Sequence, residues 1–484
     1  MDDKTPGHST WGFEDVAPPT GFEPVAYRLG GGCSIQLSYG GMLRSGRSVP
    51  ASSARVPAPD PPGNWRGRSL YLRTVTGEVA YILESPMAPH APVLIRPAGL
   101  RLVAVAGLLA CSGCRSETNI VTKQPTEEEE TVEVVQFTND WGQWLSLDVL
   151  PDGRPVAAFY DNTEGAVGFA IATIDADGSV TWAYEEPDGY PDSGGLDPGD
   201  RGKYVDMVIA PNGDVWLAYQ DIQNENLRFA RRYFLSGLWE NGVADGGSGP
   251  ETASGYFASI ALDGSGNPVA AHHDQGTGEL RVAHWQGTAF SGSVLDAGTA
   301  PEVEEGADPI VADVGEFPSL EIVNGVEYIA YYDKANGDLK MARGSAGAYT
   351  TEVVYDEGDV GAWVDLAIDN GTMHLAFHDV GNQNLLYASG EPGGFRIEVV
   401  DDDKYVGADT DVLMVQGSPR IAYFDGHNND MKVATRVGDG WDLASVAGDT
   451  TAMGFFNELI EVGGQVYAGC YDYTDRTVWF SVLN

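Results

Sequence analysis

The chain has 484 residues, with 28 Lys and Arg against 71 Asp and Glu, a formal net charge of −43 at pH 7. That balance excludes nucleic-acid binding, which needs basic residues against phosphate, and adhesion to anionic lipid. A hydrophobic content of 43% with 62 Gly and 10% aromatic residues excludes wholesale disorder and points to strands and turns. The charge is uneven. Residues 1–114 hold ten basic and eight acidic residues, so the remaining 18 basic and 63 acidic residues give 115–484 a net charge of −45.

Residues 1–86 show no sustained hydrophobic period and are broken by Pro and Gly. Within them, 21–41 (GFEPVAYRLGGGCSIQLSYGG) resembles a peptide read from a transfer-RNA gene, so 1–86 is expected to be a non-native or disordered leader before a true start at Met87. After Met87 come Arg96 and Arg101, then the apolar run 102–110. Nine apolar residues are too few to span a bilayer, and the pattern predicts a signal peptide over 87–111. It ends in Leu108-Leu109-Ala110-Cys111, which resembles a bacterial lipobox. The resemblance implies that Cys111 is lipidated, with Cys114 a second candidate. It also implies a chain exported to the bacterial outer membrane or cell surface, touching the membrane only through that anchor. Residues 112–130, with four glutamates at 127–130, read as an acidic tether. Four cysteines (Cys33, Cys111, Cys114 and Cys470) make no disulfide framework, and Cys470 reads as a small buried hydrophobe.

The rest of the chain repeats. A short apolar strand ends in Asp seven times, at Asp161, Asp221, Asp274, Asp333, Asp379, Asp425 and Asp472, and nine residues after each comes a small residue in another apolar run. Sixteen or seventeen residues before each Asp another strand starts with an aromatic: Trp144, Tyr204, Phe257, Phe317, Trp363 and Phe456, with Asp409 in the sixth copy. Turns such as Asn212-Gly213 and Asn324-Gly325 lie between the two strands and suit tight hairpins. Four antiparallel strands per unit predict an all-β fold, a seven-bladed β-propeller over 131–484. The last unit stops after its third strand, so the strand at 131–137 is expected to supply the fourth and close the ring. WD40, kelch and sialidase signatures do not recur. The architecture is similar to exported bacterial seven-bladed propeller lipoproteins, a likeness that says little about chemistry.

The register places each first-strand aromatic opposite the repeat Asp, within one residue. The seven Asp residues then read as caps of the following loop. Two residues after the aromatic positions come Ser146, Asp206, Ser259, Ser319, Asp365, Asp411 and Glu458. Facing a central channel, the carboxylates of Asp206, Asp365, Asp411 and Glu458 would repel unless a cation lay among them, and oxygen ligands suit Ca²⁺. Otherwise they meet water or bond between blades. The eight histidines make no metal motif, and no nucleophile or phosphate-loop motif appears, so no catalytic residue is assigned. The six aromatics are the binding candidates, and long insertions such as 185–202 are expected to carry recognition.

These features read as a lipid-anchored binding module for carbohydrate or protein rather than an enzyme. The alternatives are a glycoside hydrolase or lyase using carboxylates near the channel, and a periplasmic scaffold.

Overall fold

The computed structural model describes the backbone of four short strands before residue 137. With side chains, it describes 140–190, 199–247, 249, 251–303, 309–345, 347–447 and 451–483. Most of the expected leader, the apolar run 102–110, Cys111 and the whole of the tether 112–130 lie outside the described residues. Two compact units divide the chain, 1–136 and 137–484. In the first, Leu72–Val75 pairs with Glu78–Tyr81 and Val93–Pro97 with Val132–Gln136, both antiparallel.

The second unit is built of seven antiparallel sheets with sequential strand order: 141–188, 201–245, 256–296, 314–355, 360–401, 406–447 and 455–482. The first six have four strands and the seventh has three. We number them blades 1 to 7. Their first strands are Trp141–Val149, Arg201–Ile209, Tyr256–Leu262, Val314–Val323, Val360–Asp369, Val406–Val415 and Phe455–Val462. Each first strand touches the next in order, and the seventh touches the first, so the ring is closed and these strands are its innermost. The fold is a seven-bladed β-propeller. Among the described residues no helix is long and apolar enough to cross a membrane.

Packing explains the repeat. Second strands such as Pro155–Asp161, Val215–Asp221 and Pro268–Asp274 are buried along their whole length, because a neighbouring blade covers each sheet face. An apolar cluster fills every gap between blades. Between blades 3 and 4 it joins Leu280 and Val282 to Val314 and Ile329, and between blades 7 and 1 it joins Ile460 and Tyr467 to Leu145 and Phe159. Cys470 is fully buried in the cluster between blades 6 and 7.

The closing strand expected at 131–137 is corrected by this topology. Val132–Gln136 pairs with Val93–Pro97, and blade 7 keeps three strands. Backbone pairing is blind to sequence, so an alternating VEVVQ segment carries no label for its partner. Side chains close the ring instead. Tyr471 Oη donates to Asp140 Oδ1 at 2.6 Å, Arg476 Nη1 reaches Asp140 Oδ2 at 2.7 Å, and the Trp141 N–H meets the Arg476 carbonyl at 3.3 Å.

Candidate functional site

The innermost strands begin at the end of the propeller where the second strands finish on the repeat Asp, as in Trp141 opposite Asp161 and Val314 opposite Asp333. The register expected from sequence is therefore off. Each innermost strand carries a bulge, between Gln143 and Ser146 in blade 1 and between Glu316 and Ser319 in blade 4, and the aromatic sits inside it, unpaired. Every one of the seven positions has a left-handed backbone: φ is 50° at Trp144, 55° at Tyr204, 51° at Phe257, 52° at Phe317, 49° at Trp363, 50° at Asp409 and 55° at Phe456. A glycine two residues earlier makes the entry possible. A Cβ on Gly315 would lie 2.7 Å from Leu280 Cα, so only glycine lets the strand pass that close to the preceding blade. The sequence shows this glycine in all seven blades (Gly142, Gly202, Gly255, Gly315, Gly361, Gly407 and Gly454), a repeated signal that marks each bulge.

The bulges turn the aromatic side chains toward one another. Ring centroids lie 5.0 Å apart for Trp144 and Tyr204, 4.7 Å for Tyr204 and Phe257, 4.3 Å for Phe257 and Phe317, 4.9 Å for Phe317 and Trp363, and 5.2 Å for Phe456 and Trp144. The six candidates thus form one collar, interrupted at Asp409 between Trp363 and Phe456. The collar walls a cavity of about 180 Å³ that also touches Asp409 and Glu458. Burial pushes the Asp409 carboxyl up to about 6, against one backbone N–H from Phe456. The long blade-to-blade connections 189–200 and 297–313 leave from the collar end, although 191–198 and 304–308 lie outside the described residues.

Below the collar, each polar residue of the innermost strands serves the following blade. Asp206 accepts the Ile260 N–H at 2.8 Å, Ser259 that of Leu320 at 3.1 Å, and Ser319 that of Leu366 at 3.0 Å. Asp365 accepts from Val412 at 2.8 Å, Asp411 from Leu459 at 2.7 Å and Glu458 from Leu147 at 3.5 Å. Ser146 and Ser319 donate to Asp206 and Asp365. The four carboxyls still feel one another. Burial first, then neighbouring carboxylates, hold Asp411 and Glu458 well above their ordinary values. Asp206 is pushed up to about 6 and Glu321 beside them to about 7.

The seven repeat Asp residues turn toward the loops that follow them. Asp161 accepts the Thr163 N–H at 2.9 Å, Asp221 that of Asn224 at 2.9 Å, and Asp274 that of Gly276 at 3.1 Å. Asp333, Asp379, Asp425 and Asp472 do the same for Asn336, Asn382, His427 and Thr474.

Sequence reasoning missed two arrangements. Between blades, a buried or half-buried carboxylate at the end of one outer strand takes a hydroxyl or imidazole and a cation from the next blade. Asp188 meets Tyr219 and Arg228, Asp245 meets His272 and Arg281, Asp296 meets Tyr331 and Lys340, and Asp401 meets Tyr423 and Lys432. Each cation lies seven residues after a repeat Asp, which the sequence does display. The other is a cluster of His273, Asp313 and Glu316, whose members lie up to 43 residues apart along the chain. On the face opposite the collar, a groove of about 490 Å³ between blades 2 and 3 is lined by Trp216, Trp285, Arg231 and Asp214.

No protein-family model matches the sequence, and no curated protein does. Among solved structures, the chain is similar to polysaccharide lyase Uly1 at 10% identity, covering 70% of this chain and 89% of that one, with a TM-score of 0.44. It is similar to a fucose-specific lectin from Aleuria aurantia at 12% identity, covering 65% and 97%, with a TM-score of 0.39. It is also similar to a prolyl endopeptidase at 11% identity, covering 72% of this chain and 50% of that one, with a TM-score of 0.44. Likeness at this level assigns no activity to the chain.

Proposed function

We propose that the propeller is a carbohydrate-binding module whose ligand stacks in the aromatic collar, and that the chain is exported and held at the cell envelope by a lipid on Cys111. The collar carries the reading. Holding an aromatic residue at positive φ costs on the order of 1–3 kcal/mol, and such strain gathers where a site needs a particular side chain. Six of seven blades bear it, with half-buried rings around one cavity. Ring faces supply the apolar platform for the C–H face of a sugar, and the Asp409 carboxyl supplies a polar partner at the break in the collar. Long connections at the same end add adaptable surface.

A glycan array probed with the purified chain tests this. Retention is expected, weakened roughly tenfold or more by Trp144→Ala or Trp363→Ala, which is about 1.4 kcal/mol. An array without signal, or variants that bind like the parent, would refute the collar as the site and shift the reading to a protein ligand.

One observation favours the enzymatic alternative. Asp409 and Glu458 line the same cavity, and a carboxyl held near 6 suits a general acid. A hydrolase or lyase would release sugar products from a retained glycan, and Asp409→Asn would abolish that release. The anchor is read separately, by incorporation of labelled lipid that is lost in Cys111→Ser.

A further inference from the structure

The residue before the repeat Asp follows a rule in three blades. It is a tyrosine whose hydroxyl donates to the aspartate preceding the next innermost strand: Tyr160 to Asp200 at 2.8 Å, Tyr471 to Asp140 at 2.6 Å, and Tyr332 to Asp359. In blade 3 that residue is His273, and the aspartate is Asp313. The imidazole is only 1% exposed. Its Nε2 lies 3.2 Å from Asp313 Oδ1, yet neither ring nitrogen has a hydrogen-bond partner, and neither does that buried carboxylate oxygen.

A second carboxylate joins them. One ligand atom each from His273, Asp313 and Glu316 lies within 4.8 Å of the others, the one such group among the described residues. Glu316 is also peculiar to this gap, since the equivalent positions of the other innermost strands hold Gln143, Lys203, Tyr256, Ala362, Ala408 and Phe455. The Lys334 ammonium sits 2.7 Å from Glu316 Oε1 and 3.6 Å from Asp313 Oδ2. Its side chain is 37% exposed, free to swing into water.

We propose that His273, Asp313 and Glu316 form a site for a divalent transition-metal cation, with Zn²⁺ the best match, and that Lys334 balances the carboxylates when the ion is not bound. One imidazole and two carboxylates are a Zn²⁺ donor set, whereas Ca²⁺ takes six to eight oxygens. Three protein ligands leave a coordination position open. The site adjoins the collar: the His273 ring is parallel to Phe257 at 6.4 Å and 11°, and Glu316 precedes Phe317.

The full chain with Cys33→Ser, Cys111→Ser and Cys114→Ser, which leaves only the buried Cys470, is stripped with chelator and titrated with Zn²⁺ by calorimetry. One ion per chain is expected. Asp313→Asn and Glu316→Gln each weaken binding tenfold or more. Lys334→Ala tightens it by a similar factor because it removes the competing ammonium, an effect that general damage to the fold would not produce. The proposal is overturned if the parent and Lys334→Ala both bind no stoichiometric Zn²⁺, if binding survives both carboxamide variants, or if Lys334→Ala binds no tighter. With the glycan array probed in the presence of chelator, these outcomes leave the carbohydrate reading untouched.

Discussion

At Phe317 the backbone stands at φ 52° while the side chain packs between Phe257 and Trp363, and the same compromise recurs around the ring. Aromatic contacts worth roughly 0.5–1.5 kcal/mol each offset part of the backbone strain. Beneath the collar the compromise is electrostatic. Each ring carboxyl accepts the next blade's N–H, and burial, with crowding by its neighbours after it, holds its proton more tightly than in the unfolded chain. The folded values of Asp206, near 6, and Glu321, near 7, exceed the ordinary 3.8 and 4.5. Unfolding therefore releases protons in this window. The stabilisation is complete below about pH 4 and is lost as pH rises through 6 and 7. Thermal unfolding is expected to show a melting temperature that falls between about pH 5 and pH 8. Asp411→Asn combined with Glu458→Gln keeps the accepting oxygens and should flatten that fall; parallel curves for parent and double variant would count against the carboxyl cluster. The spacing along the chain did place these residues on one ring. Their bonds to Leu459 and Leu147 join residues 48 and 311 apart, a distance no periodicity expresses.

At the scale of the strand and blade, buried charge holds neighbours in register. Asp245 of blade 2 receives Arg281 Nε at 2.8 Å and His272 Nε2 at 3.2 Å from blade 3, with Arg281 only 2% exposed. The hydrogen bonds from His272 and Arg281, with the Arg281 charge, hold Asp245 well below the usual carboxylate range, against its burial. Asp245→Ala removes the carboxylate closest to the buried Arg281 cation and is expected to cost roughly 3–5 kcal/mol by denaturant unfolding; a loss under about 1 kcal/mol would mean the pair is solvated. Ring closure is tested by one change. Asp140→Ala should lower stability by about 1–3 kcal/mol through the lost bonds from Tyr471 and Arg476. The hairpin turns and strand count were plain in the sequence. The bulges were not, because a bulge is an extra residue in one strand and shows only against its partner.

Over the whole molecule, 18 basic residues against 63 acidic ones in 115–484 leave a ring that repels itself. Several cations are spent inside, as Arg228, Arg281 and Lys432 bridge blades, so their charge does little for the outer surface. Raising NaCl from ~20 mM to ~500 mM shortens the screening length to a few ångströms and is expected to raise the melting temperature. A fall would mean that the attractive pairs outweigh the net repulsion. Blade number, strand order and the seven collar positions follow from the sequence by itself, because they rest on local period, turn chemistry and repetition. The collar as a ring of touching side chains, the N–H each ring carboxyl serves and the meeting of His273 with Glu316 needed the tertiary structure. Those contacts pair residues from different blades, and only closing the ring decides which blade faces which.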